Sequence, residues 1–520
     1  MGNPLRVLLA DQDQPIELVF GLVGPTGVNL SDVAAALESQ LRAVDYSTVH
    51  IRLSELLLKA GGKKESDFEE YERIATQIRI GNEICSRVNA KDMVGRLGLT
   101  EIRRQRALIT GHENTPHKTI AVAYVVRSFK RKEEVELYRN IYGKAFVLIS
   151  VYAPRHTRIS ALASRFRSII ENEQVRGPQE LATRIVDRDY KEYEDEYGQR
   201  VGKTFPLADY FVSVGPRVEL ERQLGRLVRL VLGDPYISPT REEQGMFFAQ
   251  AAALRSLDLS RQVGASIMTG DGEVLSTGCN EVPKFRGGLY WADDPGCQRD
   301  VERGYDANIR IKAELVEDAI QILRSKGWTP PGSENGKTDA ELAKGMLFGE
   351  QAYFEGAKLY DVIEFGRAVH AEMDAISQAA RLGISLQNAK LFCTTFPCHI
   401  CARHIVATGI SEVWFIEPYE KSRTADLYSD SISVEPHEPS AAKANFRAFV
   451  GVAPRRYMDL FQMTADRKNV DGQIRSQKAK DLKPRFRRFV LTYILTEIRF
   501  EEEYVELLRA KEKRDDPRIQ

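Results

Sequence analysis

The chain has 520 residues, which is too long for one hydrophobic core and predicts two or three domains. Its 74 basic and 74 acidic side chains leave no net charge, so the overall balance does not call for nucleic acid as an obligate partner. Six cysteines in a chain of this length are not a disulfide framework. No run of about 18 apolar residues predicts a membrane span, and the N-terminus is a poor signal peptide, so we expect a cytoplasmic protein without a membrane partner.

The first predicted element is a buried strand at 16–23, followed by a glycine turn and an amphipathic helix. This order is the usual setting of a phosphate-binding loop, in which backbone N–H groups hold the anion. The loop is degenerate, because Val28 stands at the lysine position and Asn29 at the serine or threonine position of GxxxxGK[ST]. We expect a P-loop fold without ATP hydrolysis, and the alternative is an ordinary tight turn. The candidate nucleotide-binding residues are Gly24, Thr26, Gly27 and Asn29.

Further strands alternate with helical segments along the N-terminal domain, which we delimit as 1–235. This alternation is typical of a doubly wound parallel sheet, so the predicted class is α/β. The charged stretch 180–204 predicts a solvated helix or a mobile lid. The predicted strands after the first lie at 46–52, 119–126, 145–152 and 205–214.

The second predicted domain, 236–465, opens with a long helix and a β-hairpin, after which Asn280 follows an inner strand. An asparagine there can bind a sugar hydroxyl and a base, and the alternative is a turn former. Residues 284–365 are an insertion that either caps the pocket, gates it or binds another subunit. After a later strand, Tyr419 and Lys421 are candidate contacts to the base or the phosphates.

The most specific signal is His370-Ala-Glu372 followed by Pro397-Cys398-His-Ile-Cys401. One imidazole and two thiolates can hold Zn²⁺ and leave a fourth position for water, as catalytic zinc sites do. Glu372 is two residues from His370, so it can reach a metal-bound water and transfer its proton without being a metal ligand itself. The joint pattern matches the H-x-E…P-C-x-x-C signature of zinc-dependent nucleobase deaminases. The alternative is two unrelated pieces, or a structural or inactive site.

The last segment, 466–520, is a charged tail for which we predict a solvated helix. Its basic piece, Lys478–Arg488, is the best nucleic-acid patch in the chain. An alternative function is therefore deamination of cytidine or adenosine within a polynucleotide, with this patch binding the RNA or DNA. A catalytically silent protein that binds nucleotide or RNA is a second alternative.

Residues 240–465 resemble the deoxycytidylate deaminases in four stretches: SRQVGASI, GCNEVP, HAEMDAI and TTFPCHICARHI. Together with the kinase-like first domain, the chain resembles the bacterial anti-phage deoxycytidine-nucleotide deaminases. The resemblance implies a cytidine-deaminase-like α/β/α sandwich in the second domain and one Zn²⁺ per chain. It would place zinc ligation on His370, Cys398 and Cys401, and proton transfer on Glu372.

The resemblance also implies what the protein does: it converts free dCTP or dCMP to the uracil nucleotide and ammonia, and so depletes the dCTP pool during phage infection. A small noncoding RNA is implied as an inhibitor, a nucleotide as a ligand of the N-terminal domain, and a homo-oligomer as the assembly.

Overall fold

The structure is a computed structural model with two compact units. Unit 1 comprises Met1–Gln244, Ile416–Pro418 and Ala448–Gln520, and unit 2 comprises Gly245–Phe415 and Tyr419–Arg447. Unit 2 is therefore inserted in the sequence of unit 1, and the domain limits given above stay predictions. The residues that the structure describes are 16–111, 121–171, 174–190, 192, 195–328, 336–349, 352–354, 357–418, 422–435, 438, 440–475, 478, 482–486 and 493–503.

Strands and helices alternate through most of the described chain. The strands are β1 (Leu18–Val23), β2 (Ser47–Arg52), β3 (Val122–Phe129), β4 (Phe146–Tyr152), β5 (Ile169–Glu171), β6 (Gln174–Arg176), β7 (Tyr210–Ser213), β8 (Gly264–Met268), β9 (Val274–Cys279), β10 (Lys390–Thr395), β11 (Glu412–Glu417), β12 (Ile432–Val434), β13 (Ala444–Ala448) and β14 (Gly451–Val452). The α-helices are α1 (Leu30–Arg42), α2 (Leu53–Ala60), α3 (Glu70–Val88), α4 (Met93–Thr110), α5 (Lys132–Tyr142), α6 (Arg155–Ala163), α7 (Pro178–Tyr190), α8 (Val201–Thr204), α9 (Arg217–Val231), α10 (Arg241–Ala253), α11 (Asp300–Arg303), α12 (Ala307–Ser325), α13 (Asp339–Phe348), α14 (Ala371–Leu382), α15 (His399–Ala407), α16 (Thr424–Leu427), α17 (Pro454–Phe461) and α18 (493–503).

The sheet of unit 1 has the order β14-β7-β4-β1-β3-β2. Its neighbouring strands run parallel, except that β14 pairs antiparallel with β7. Strand β1 is buried along its whole length, as expected for a central parallel strand with covered faces. Leu37 of α1 and Leu224 of α9 pack with Phe20 in the main core of this unit. The predicted parallel α/β sheet is confirmed, and the P-loop assignment stays a prediction.

Two parts of unit 1 differ from the sequence-based expectation. The predicted strand 205–214 is shorter, because Phe205–Leu207 form a 3₁₀ turn and only Tyr210–Ser213 pair in the sheet. Pro206 has no N–H to give to a strand ladder, which favours the turn. Helices α2, α3 and α4 occupy the stretch between β2 and β3, for which no element was predicted.

The described helix of the C-terminal tail, α18, is docked in unit 1 rather than solvated. Its Glu497 is fully buried and accepts hydrogen bonds from Arg106 Nη1 at 2.6 Å and from the Tyr142 hydroxyl at 2.7 Å. The same guanidinium binds Glu17 at 2.9 Å. A buried charge has to be paired, so the tail completes the environment of Arg106. The tail is dense in charged residues, and this composition predicted a solvated helix instead of a docked one.

The sheet of unit 2 has the order β12-β13-β11-β10-β8-β9, and β8 pairs antiparallel with both β9 and β10. A Cβ at Gly264 would meet Ala249 of α10, and one at Gly278 would meet Ala371 of α14. Gly264 and Gly278 point to opposite faces, because they stand one position apart in the β8–β9 register. Helices therefore cover both faces, which gives an α/β/α arrangement. No helix of the described residues is long and apolar enough to cross a membrane.

Candidate metal centre

Three side chains with metal-binding atoms converge in unit 2. His370 is the residue before α14, Cys398 is the N-cap of α15, and Cys401 lies in the first turn of α15. Both Sγ atoms lie 3.3 Å from His370 Nδ1, and the three ligand atoms all lie within 4.8 Å of one another. Tetrahedral zinc with ordinary bond lengths separates its sulfur and nitrogen ligands by about 3.6 Å. The donor set and its spacing therefore fit Zn²⁺.

Two backbone hydrogen bonds to Glu281, which follows the end of β9, hold the backbone next to His370. Val369 N–H donates to Glu281 O at 3.0 Å, and Glu281 N–H donates to Val369 O at 3.3 Å. The Glu281 side chain is buried and accepts from the backbone N–H groups of Leu257 and Val282. This double bridge positions the first ligand without using its side chain.

Gly278 on β9 lets helix α14, which begins directly after the candidate ligand His370, approach the sheet. A Cβ there would lie 2.3 Å from Ala371 O and 2.5 Å from Ala375 N, which are both backbone atoms of α14. One residue further, Cys279 N–H donates to the buried Asp374 carboxylate at 3.2 Å. The glycine of GCNEVP is thus a packing residue for α14, and sequence reasoning had not given it a role.

The protonation of the two thiols differs. A hydrogen bond from the Cys401 thiol, followed by the bond to His370, lowers the pKa of Cys398 to about 4. The hydrogen bond to Cys398, together with burial, raises the pKa of Cys401 well above its ordinary value. The helix N-terminus adds backbone N–H groups that favour thiolate at Cys398. A thiolate is the form that ligates a metal.

Glu372 lies in the first turn of α14, two residues after the candidate ligand His370, and is only 4% exposed. Burial, followed by the charge of Cys398, raises the pKa of its carboxyl. A general acid–base group works best when its pKa lies near the operating pH, and burial moves the pKa of this carboxyl in that direction. Glu372 thus lies beside the candidate metal ligands, and its proton-transfer role stays a prediction.

A cavity of about 190 Å³ opens onto His370, Glu372 and Cys398. Part of its lining comes from the insertion 284–365, so this segment contributes to the pocket wall. Two basic side chains that the sequence analysis did not assign, Arg261 and Arg367, also line it. The lining residues contributed by the insertion are Asp300, Asp306, Asn308 and Ile363.

Asn280 also lines this cavity, but its amide is engaged by the protein. The side-chain oxygen accepts from Val263 N–H at 2.7 Å, and the side-chain nitrogen donates to Arg261 O at 2.8 Å. Asn280 therefore shapes the cavity wall at 261–263, and its predicted contact to substrate stays a prediction. Tyr419 and Lys421 lie outside the described residues.

The predicted nucleotide loop lies in unit 1, between β1 and α1. Asn29 caps α1 by accepting from Ser31 N–H at 3.1 Å. Gly27 has a positive φ of 96°, and a Cβ there would lie 2.9 Å from Arg158. The Thr26 N–H donates to the Asp189 carboxylate at 2.6 Å. Helix capping and close packing thus account for Asn29 and Gly27, and nucleotide binding by Gly24 and the other three stays a prediction.

Residues 239–417 match the family model of the cytidine and deoxycytidylate deaminase zinc-binding region. The chain is 29% identical to the deoxycytidylate deaminase of Enterobacteria phage T4 over 165 residues, which cover 32% of this chain and 71% of that protein. It is 37% identical to ComE operon protein 2 of Bacillus subtilis over 54 residues, which cover 10% of this chain and 29% of that protein.

A crystal structure of the dCMP deaminase from cyanophage S-TIM5 in complex with dCMP and dUMP overlaps with 41% of this chain and all of that chain, at 17% identity and a TM-score of 0.22. The family match covers all three metal-binding side chains, and the His/Cys/Cys cluster supplies a donor set that suits zinc. Residues 239–417 are a zinc-binding region of the cytidine and deoxycytidylate deaminase type, and its cofactor is one Zn²⁺.

Proposed function

We propose that the protein is a zinc-dependent deaminase that hydrolyses the 4-amino group of free deoxycytidine nucleotides, dCMP and dCTP. The observation that carries the proposal is the triangle of His370, Cys398 and Cys401, with the buried Glu372 beside it at the wall of a small cavity. Relatives of this region are named deoxycytidylate deaminases, which supports the cytosine ring as the reacting group.

The metal ligands in this proposal are His370 Nδ1 and the Sγ atoms of Cys398 and Cys401. When bound, Zn²⁺ supplies a Lewis acid that makes water nucleophilic near neutral pH. The Glu372 carboxylate takes a proton from the attacking water and delivers it to N3 of the base. A second proton passes through the same carboxyl to the departing amine as the water oxygen bonds to C4 and the C4–N4 bond breaks. The products are the uracil nucleotide and ammonia.

Two features of the cavity favour a free nucleotide over a polymer. Its volume of about 190 Å³ suits one base, and the insertion contributes to its wall. Its lining includes two cations that can meet a 5′-phosphate, Arg261 and Arg367, beside the carboxylates of Asp258, Asp300, Asp306 and Glu372. Arg367 is paired with Asp300 at 2.6 Å, and both arginines are candidates for the phosphate contact.

The broader role in this proposal is depletion of the dCTP pool as a defence against phage. The kinase-like unit 1 would belong to the P-loop class and would sense a nucleotide or restrain the deaminase. An inhibitory small RNA and a homo-oligomer complete the proposal, and both rest on the resemblance to the anti-phage deaminases. Infection of cells that carry wild type or Glu372→Ala, with dCTP measured over time, tests the defence role.

One assay decides the chemistry. Zinc-loaded protein, checked for bound RNA by its absorbance ratio, is incubated with dCMP, dCTP, single-stranded DNA and RNA, and uracil or hypoxanthine products are measured by mass. We expect turnover of the monomers, and a loss of about 10²–10⁴-fold in kcat for Glu372→Gln, since general acid–base groups contribute that much. Conversion only within a polymer would replace the proposal with a polynucleotide deaminase. Equal inactivity of wild type and variant, with zinc present, would indicate a silent scaffold.

A further inference from the structure

Unit 1 contains a second cavity, of about 450 Å³, where the carboxyl ends of β1, β2 and β3 meet. This edge of an open parallel sheet is the usual ligand-binding edge, and the volume is in the range of small-molecule sites. The charged side chains that line it are five cations and one carboxylate: Arg52, Arg73, Arg127, Lys130, Arg165 and Glu70. The lining therefore favours an anion.

The glycine loop at the edge of this cavity keeps only part of the N–H donors of a phosphate cradle. Four backbone N–H groups of the loop and the helix start already have acceptors within the protein. These pairs are Thr26 with Asp189 Oδ2, Val28 with Pro25 O, Leu30 with Val28 O, and Ser31 with Asn29 Oδ1. The N–H groups of Gly27 and Asn29 have no protein acceptor in the described part of the chain, so an anion would need side-chain donors in addition to them.

Asp189 stands where the loop would otherwise meet an anion. Its carboxylate is fully buried, accepts from Thr26 N–H at 2.6 Å and pairs with Lys130 Nζ at 2.8 Å. The Lys130 ammonium also donates to Gly24 O at 3.0 Å. An internal carboxylate thus neutralises both the loop and its lysine.

The other lining cations are paired in a similar way, with one exception. Arg52 binds Glu65, and Arg73 and Arg165 both bind Glu70. Arg127 has no carboxylate within ion-pair distance among the described residues. Its Nη1 donates to the Ser31 hydroxyl at 2.9 Å, and its Nε is buried without a hydrogen-bond partner in the described part of the chain. Burial, followed by the charge of Arg52, lowers the pKa of Arg127, so an anionic ligand would relieve this guanidinium.

Part of the cavity lining is aliphatic. Ile74, Ile78 and Leu162 contribute to it and belong to one hydrophobic cluster of α3, α6 and α7. A ligand that satisfies both the cations and this aliphatic part has an anionic end and a flat or apolar end. A nucleotide has both.

We propose that this cavity binds a nucleotide whose phosphate is held by Arg127, with Arg52 beside it, while the Thr26 N–H of the glycine loop stays bound to Asp189. The nucleoside lies toward Ile74 and Ile78. The proposal extends the nucleotide sensing proposed for unit 1 and does not depend on the deaminase reaction.

The test measures binding of ATP to the zinc-loaded full chain by calorimetry, because ATP lacks a cytosine ring. We expect wild type to bind ATP and Arg127→Gln to bind it roughly tenfold or more weakly, since charge-assisted hydrogen bonds to phosphate carry that much free energy. The matched control is Arg104→Gln, an exposed arginine of α4 that pairs with Glu101 outside the cavity. Inorganic tripolyphosphate is expected to compete with ATP, and adenosine is not.

Two results would overturn the proposal. The first is an absence of ATP binding to wild type, and the second is equal binding by Arg127→Gln at unchanged melting temperature and zinc content. Deamination of dCMP and dCTP is recorded in parallel, so a failure of the proposed function is seen separately from a failure at this cavity.

Discussion

The metal cluster of unit 2 and the glycine loop of unit 1 were both predicted from residue spacing. They differ in whether the atoms that each motif requires are available in the structure. At the metal cluster, His370, Cys398 and Cys401 bring their ligand atoms together as the motif requires. At the loop, the glycines are present, but four backbone N–H groups of the loop and the helix start are bound to protein acceptors, Thr26 to Asp189 among them. A motif of side-chain ligands carries its chemistry in the residue types. A motif of backbone donors depends on where the backbone points.

The largest expected effect is at the metal cluster. Cys401→Ala removes a fully buried ligand, and two remaining donors do not make a catalytic zinc site. We expect bound zinc, measured by atomic emission, to fall from one per chain to near zero, and deamination to fall to background. The matched control is Cys85→Ala, a buried cysteine of unit 1 that should keep both. Zinc retained by Cys401→Ala would show that the ligand set is wrong.

The next effect is at the carboxylate that occupies the loop. Asp189→Ala leaves the Thr26 N–H and the Lys130 ammonium without their shared acceptor. Breaking such a buried pair costs about 3 kcal/mol of unfolding free energy. Asp189→Asn keeps an oxygen acceptor for Thr26 and should lose less. Denaturant unfolding of both variants measures the difference, and an Ala variant as stable as wild type would show that the carboxylate does not support the loop.

A smaller effect is expected where α14 packs on β9. Gly278→Ala places a methyl group against backbone atoms of α14, and such overpacking costs about 1–3 kcal/mol. Because α14 follows directly on His370, zinc affinity should fall with stability in a competition with a chelator. Gly270→Ala is the control, since a Cβ there meets nothing within 4 Å. Identical behaviour of the two variants would contradict the packing role of Gly278.

The smallest effect is expected from restoring the side chains of the phosphate loop. Val28→Lys combined with Asn29→Thr recreates the GK[ST] pattern and keeps a helix-capping hydroxyl. We expect phosphate release from ATP to stay at the wild-type level, because four N–H groups of the loop and the helix start remain bound to protein acceptors. Faster ATP hydrolysis by this variant than by wild type would contradict this expectation. It would show that the missing lysine and hydroxyl side chains alone prevent hydrolysis at the loop.

The sequence was informative where one local pattern decides the structure. Strands β1, β3 and β4 follow from apolar runs, and the zinc ligands follow from C-x-x-C after a proline. Spacing gave no sign that Arg261 and Arg367 line the cavity near Glu372, and it left three roles open for the insertion, because these parts meet the cavity only through the tertiary fold. Strand β14 has two residues and pairs with β7 from far along the chain, so no local pattern marks it.

The return of the chain to unit 1 at β14 and at Glu497 has a consequence for protein synthesis. When the first 244 residues have left the ribosome, β7 still has a bare edge, and Arg106 lacks one of its two carboxylates. Unit 2 is translated next. It can fold before the segment that carries β14 and Glu497 is available to complete unit 1. We expect synthesis of the segment that carries β14 and Glu497, rather than emergence of the first 244 residues, to be the event that completes unit 1. Truncation of the tail would then leave a protein that depends on chaperones.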